Sequence, residues 1–319
     1  MAAEELRSND LAVGSTDSLE DLATPFQVAD TAVRGRVVRL AGAIDRILSA
    51  HAFPDGVSEL VGEAAVFVAA MGSSLKFDGK LILQINGDGP ARMVLADLTA
   101  DGALRATAGV GGDEIGVRRG LSELIGEGRM MLTVDQGTDM ERYQGVTQLE
   151  GADLATAAEF YFRQSEQIPT VARFAVGRLS RRGAADVWRA GGIIAQFVPS
   201  EGGVRDRGIA TLQSDAEREI WARAEAFVRS TQSDELIDPD LSVNDLLFRL
   251  FHEDGVRVFD PKPIKASCSC NAGKIEAVLK RYSRSELQEM TEADGSISVV
   301  CEFCRTPYRF DADGREIGQ

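Results

Sequence analysis

The amino-acid sequence predicts an α+β protein: an antiparallel-sheet N-terminal core with helices, a charged helical linker, and a small C-terminal module built on four cysteines. Three observations predict it. Two helical stretches are followed by period-two segments separated by turn residues. The composition turns acidic after about residue 202, and every cysteine falls between residues 268 and 304.

The elements follow in chain order. Residues 1–25, which open MAAEELRSNDLAVGSTDSLE, read as a disordered acidic lead-in. Glu4 and Glu5 stand where a secretory signal needs cations and an apolar run, so a cytoplasmic protein is expected. The core is assigned to 26–201. Ile44 to Leu48 and Leu60 to Met71 suggest helices, and KLILQIN, ARMVLADL, ALRATA, GRMMLTVD and QGVTQL suggest strands. Asn86-Gly87-Asp88-Gly89-Pro90, Asp101-Gly102 and Asp135-Gln136-Gly137 supply the turns. Together they predict one antiparallel sheet with helices to one side. Asp153 opens a helix that ends before Pro169, and Ile193 to Val198 reads as a further strand.

The linker is assigned to 202–260. Residues 213–240 carry eight acidic and three basic side chains. Ser214 and Glu217 form a capping box ahead of an apolar stripe of Ile220, Ala224, Phe227 and Val228. A second helix is predicted over Val243 to Phe251, with Leu246, Leu247, Leu250 and Phe251 on or near one face. Like charges crowded on short helices oppose their packing, so marginal stability is expected. Residues 261–310 form the cysteine module, with helices expected at Lys274 to Arg281 and from Ser285, capped through Gln288, and a strand at ISVV. Residues 311–319 read as a tail.

The bulk numbers exclude several classes. A net charge of −15 argues against a nucleic-acid partner, which needs a basic face. The longest apolar run, Ala64 to Met71, is too short to cross a bilayer. Only two histidines exist, His51 and His252, and neither stands in a nucleophile motif, so both read as structural or surface groups. Gly72 and Gly79-Lys80 lack P-loop spacing, with Leu81 where Ser or Thr is required. Gly109, Gly111 and Gly112 are followed by Glu114 instead of the third glycine of a dinucleotide fingerprint. No enzyme is expected.

The chemistry lies in the cysteines. Cys268-Ser269-Cys270 and Cys301-Glu302-Phe303-Cys304 are separated by thirty residues, and the preceding 267 residues hold no cysteine. Two close pairs supply four soft ligands for one tetrahedral Zn²⁺. The span from Cys268 to Cys304 is shorter than chains that normally fold without metal or disulfides. Structural zinc supplies on the order of 10–16 kcal/mol, so loss of the ligands would unfold the module. The residues leave two roles open. One is a permanent staple. The other is a redox switch, because a Cys-x-Cys bridge is strained and labile. A thiol-disulfide oxidoreductase using Cys301 and Cys304 is the alternative function, disfavoured without a thioredoxin-like βαβ context.

Several strings carry a family resemblance: SSLKFDGKLILQINGDGP (73–90), YQGVTQLEG (143–151), YFRQSEQIPT (161–170), AGGIIAQFVP (190–199), LLFRLFHEDGVRVFDP (246–261) and the CSC…CEFC pairs. In this order they resemble the redox-regulated 33-kDa chaperonin (heat shock protein 33) family, bacterial holdases activated by oxidation. The resemblance implies an inactive, reduced form with one Zn²⁺ per chain on Cys268, Cys270, Cys301 and Cys304. It implies Cys268–Cys270 and Cys301–Cys304 disulfides on oxidation, zinc release, loss of structure in module and linker, and a homodimer. It further implies ATP-independent holding of unfolded client proteins under oxidative stress and their transfer to an ATP-dependent foldase chaperone. The apolar linker residues Phe227, Val228, Leu246, Leu250 and Phe251, with Trp221 beside them, are the candidate client-binding surface, covered while the metal is bound.

Overall fold

The computed structural model describes residues 20–74, 79–111, 116–137, 142–180, 183, 185–198, 212 and 214–317. The lead-in through residue 19, residues 112–115 (with Gly112 and Glu114 of the glycine motif) and the linker residues 202–211 lie outside them. Strands β1 (Leu22–Val28) and β2 (Val33–Leu40) lead into helices α1 (Gly42–Ser49) and α2 (Asp55–Gly72). Then come β3 (Lys80–Gly87), β4 (Ala91–Thr99), β5 (Ala103–Val110), α3 (Leu121–Ile125), β6 (Gly128–Asp135) and β7 (Tyr143–Gln148). Helix α4 (Leu154–Tyr161) runs into a π-helical turn, Phe162–Glu166, ahead of β8 (Thr170–Leu179) and β9 (Val187–Phe197). The linker forms α5 (Asp215–Ser230), α6 (Ser233–Ile237), α7 (Val243–Phe251) and β10 (Val256–Val258). The last part holds β11 (Lys262–Pro263), β12 (Lys265–Ala266), α8 (Ala272–Leu279), α9 (Arg284–Met290), β13 (Ser296–Val300) and β14 (Pro307–Asp311).

The expected single sheet is instead two. Sheet A has the order β10-β1-β2-β9-β8, with β11 also on β1, and sheet B the order β12-β5-β4-β3-β6-β7. Helix α2 lies between them, in contact with strands of both. That position explains its composition: the run Ala64 to Ala70 is buried on every side, where a helix on one face of a sheet would show a polar stripe. Gly62 lets it approach β8, because a Cβ there would meet Val176 at 2.7 Å.

Most of the strands that sequence reasoning missed belong to sheet A. Pro25 within β1 argues against a strand by the usual rule, yet β1 pairs with β2 on one side and with β10 and β11 on the other. β1 also begins at Leu22, ahead of the boundary expected at 26. Strand β9 begins at Val187, six residues before Ile193, and runs through Gly191-Gly192. Those glycines are sites of close approach: a Cβ on Gly191 would lie 1.9 Å from the Leu236 carbonyl oxygen of α6.

The linker is therefore packed against the core. Sheet A buries one face toward α2 and the other beneath α5, α6 and α7. Phe26, Val37, Ile193 and Phe197 on this second face meet Trp221, Val228, Leu246, Leu247 and Phe251. Strand β10, inside the linker as assigned, pairs with β1 through Phe26, Gln27 and Val28. Arg39 of β2 donates to the carbonyls of Asp238 at 2.6 Å, Glu235 at 2.7 Å and Leu241 at 3.2 Å. Local signals match the chemistry of the sequence: Ser214 and Glu217 form the capping box, and α7 spans Val243–Phe251. The cap of α9 is Ser283 with Glu286, where Ser285 and Gln288 were expected. Ser283 has the extended backbone that an N-cap requires.

Candidate metal centre

The four cysteines come from two short segments. Cys268 and Cys270 lie between β12 and α8, and Cys301 and Cys304 in the turn between β13 and β14. That turn places Arg305 in left-handed backbone (φ 57°). It is closed by Cys301 N–H donating to the Thr306 carbonyl at 3.0 Å and Arg305 N–H donating to the Cys301 carbonyl at 2.9 Å. On the other side, Asn271 caps α8 by accepting from Lys274 N–H.

All four sulfurs lie within 4.8 Å of one another, and each cysteine is partly buried. The shortest separations cross between the motifs: Cys268 to Cys301 at 3.8 Å and Cys270 to Cys304 at 3.3 Å. A tetrahedral ion with Zn–S bonds of about 2.3 Å holds its sulfurs about 3.8 Å apart, so the cluster fits zinc in donor type and spacing. Electrostatics agree. Burial pushes the Cys268 thiol up and Cys270 up to about 12. Burial also opposes ionisation of Cys304, but the Thr306 hydroxyl and backbone N–H, with Cys270 and Cys301 beside them, together bring Cys304 down to about 6. The metal-free cluster thus resists carrying several negative charges. A divalent cation on the same four sulfurs removes that resistance.

Partners around the thiols were not legible in the sequence. The Tyr308 hydroxyl donates to Cys270 Sγ at 3.2 Å, and Thr306 Oγ1 lies 3.2 Å from Cys304 Sγ. The module's own apolar core is small: Ala272, Leu279, Leu287, Ile297 and Phe310 among the described residues. The expected tail is partly built into it. Asp311 N–H donates to the Arg315 carbonyl and Ile317 N–H to the Arg309 carbonyl, folding 311–317 back onto β14. Both histidines accept structural placements: His252 Nδ1 lies 3.2 Å from the Phe248 carbonyl, and His51 lies between the Ile47 and Glu302 carbonyls.

The candidate client-binding residues sit apart from this cluster, on the linker. Val228, Leu246 and Phe251 are buried, and Phe227 and Leu250 are partly buried against them. Their rings interlock, with Phe251 5.7 Å from Phe26 and 5.9 Å from Phe227 between centroids. Phe248, on the opposite side of α7, is 63% exposed. No helix among the described residues is long and apolar enough to cross a membrane.

Comparison with known proteins agrees with this architecture. The family model described as Hsp33 protein matches residues 21–311. A 33 kDa chaperonin of Caulobacter vibrioides is 45% identical over 305 residues, covering 94% of this chain and 97% of its own length. One from Pseudomonas aeruginosa is 32% identical over 296 residues, covering 92% and 93%. The crystal structure of the 33 kDa chaperonin from Thermotoga maritima superposes with a TM-score of 0.72 at 24% identity, over 92% of this chain and 96% of that one, and so shares the fold. The chain belongs to the Hsp33 family, a family of chaperones and not of enzymes.

Proposed function

We propose that this chaperone is a redox-regulated, ATP-independent holdase, kept inactive by one Zn²⁺ on Cys268, Cys270, Cys301 and Cys304. The observation that carries this reading is the convergence of all four cysteines of the chain, within 4.8 Å, in a module whose own apolar core is a handful of side chains. A module of that size depends on its ligands for stability. Oxidation of four thiolates to the Cys268–Cys270 and Cys301–Cys304 disulfides releases four electrons, enough to reduce two hypochlorous acid molecules to chloride and water. The sulfurs are then no longer ligands, and the module gives up both its metal and its fold.

The linker is the second moving part. It contacts the core through one apolar layer, the Arg39 bonds, the pairing of β10 with β1 and the Arg229–Glu159 ion pair, and it leads directly into β11, β12 and the cysteines. Unfolding the module removes the anchor at the linker's C-terminal end. Phe227, Val228, Leu246, Leu250 and Phe251 then pass from core packing to client contact. The oxidised chain forms a homodimer in the cytoplasm, holds unfolding proteins, and releases them to an ATP-dependent foldase. Peptide mapping after hypochlorous acid treatment tests the pairing. Bridges within each motif are expected, and Cys268–Cys301 with Cys270–Cys304 bridges would overturn it.

A further inference from the structure

The outer face of sheet B contains two buried polar side chains that its own strands do not explain. Ala96, Leu98, Leu104 and Ala106 face α2 and the core, so Asp97 and Thr107 point away from it. Yet Asp97 is 4% and Thr107 3% exposed. What covers this region is the turn that carries Cys301 and Cys304.

Arg105 pairs with Asp97 across the β4–β5 register, its Nε 2.8 Å from Oδ2 and 3.1 Å from Oδ1. The fixed guanidinium then lies 4.1 Å from the ring centre of Phe303, a cation–π contact. Next to it, the Thr107 hydroxyl donates to the Glu302 carbonyl at 2.8 Å. His51 Nε2 lies 2.8 Å from the same oxygen, and its ring is stacked on Phe53 at 4.5 Å. The Glu302 side chain is exposed. The core thus recognises a peptide orientation within the Cys-x-x-Cys turn, together with one aromatic ring, and ignores the side chain at 302.

We infer that Asp97, Arg105, Thr107 and His51 form a docking surface on the core for the metal-organised Cys301–Cys304 turn, and that this contact slows metal loss from the reduced chain. The Glu302 carbonyl holds this orientation while the four sulfurs converge within 4.8 Å, so the surface fits the converged arrangement that a metal would hold. The inference rests on the metal-release reading above and adds a place where the core resists it.

The test uses the full-length, reduced, zinc-loaded chain. Thr107→Val, Phe303→Ala, Thr107→Ser and Glu302→Ala are compared by zinc transfer to a chromogenic chelator and by amide hydrogen exchange over 301–306. Losing one such contact is expected to speed transfer about fivefold in Thr107→Val and Phe303→Ala. Thr107→Ser keeps the donor and Glu302→Ala keeps the carbonyl, so both are expected within twofold of wild type. Equal rates and equal protection in all four variants would overturn the inference, as would an effect of Glu302→Ala as large as that of Thr107→Val. Should Thr107→Val fold poorly, Phe303→Ala decides, since it changes no residue of the core. Retention of zinc by the oxidised wild type would defeat the metal-release reading, while the exchange data still decide the docking surface.

Discussion

Arg39→Met tests how the linker is held. Arg39 lies on β2 with its guanidinium beneath the linker, bonded to the Glu235 carbonyl of α6 and to the Asp238 and Leu241 carbonyls of the segment that joins α6 to α7. Burial pulls its pKa down to about 10, partly offset by Asp238, so it remains charged at neutral pH. A bond from a charged donor contributes roughly 1.5–3 kcal/mol net. Three of them would exceed 4 kcal/mol, but the cation also pays for burial, and its Nε has no partner. Methionine fills most of the volume and leaves the three carbonyls to find water. The expected net loss is about 2–4 kcal/mol, confined to linker docking. Hydrogen exchange of the α6 and α7 amides should accelerate about 30- to 1000-fold, while β3, β4 and β6 keep their protection. Gly191→Ala, at the strand position paired with Arg39, should act the same way by pushing the Leu236 carbonyl away. Unchanged exchange in α6 and α7 for both variants would refute the reasoning, because it would mean that the Arg39 bonds do not hold the linker.

Other outcomes follow from the same structure. Replacing Leu246 and Leu250 by Ser should weaken client holding by the oxidised chain, and unchanged suppression of aggregation by a folded double variant would remove the linker from the client surface. Stripping the metal from the reduced chain should abolish protection in 270–310 and leave β3–β6 intact, as followed by hydrogen exchange. Glu63 of α2 is raised from its ordinary 4.5 to about 8 by burial, with the Asp153 carboxylate adding to it. The folded chain therefore holds a proton that the unfolded chain gives up. Its contribution is present below about pH 4.5 and is lost as pH rises toward about 8. Glu63→Gln should raise thermal stability at pH 8, on the order of 1–3 kcal/mol, with little change at pH 4, and an equal effect at both pH values would contradict this.

The parts of the fold written in local chemistry were legible. Five of the sheet B strands were marked by period-two alternation, α5 by Ser214 and Glu217, and α7 by its leucines. The four-cysteine cluster was legible because its members come as two close pairs. What the sequence concealed depends on partners distant along the chain. Sheet A is covered on both faces, so Val187–Phe197 reads as a nearly continuous apolar run without alternation. Pro25 and Gly191-Gly192 look like breakers until β10 and the Leu236 carbonyl are in view. His51, Arg105 and Thr107 carry no motif. They meet the Cys301–Cys304 turn across separations of about two hundred residues, and only the folded chain brings them together.

The central claim is that oxidation of one four-cysteine cluster turns client holding on. Its most direct test is light scattering from a thermally unfolding protein without ATP, comparing the reduced, zinc-loaded chain with the same chain after hypochlorous acid. Released zinc is read in parallel with a chromogenic chelator. Release of about one zinc per chain, with suppression appearing on oxidation and disappearing on reduction, is the expected result. Zinc that stays bound, or suppression that is the same in both states, would make the cluster a permanent staple and contradict the switch.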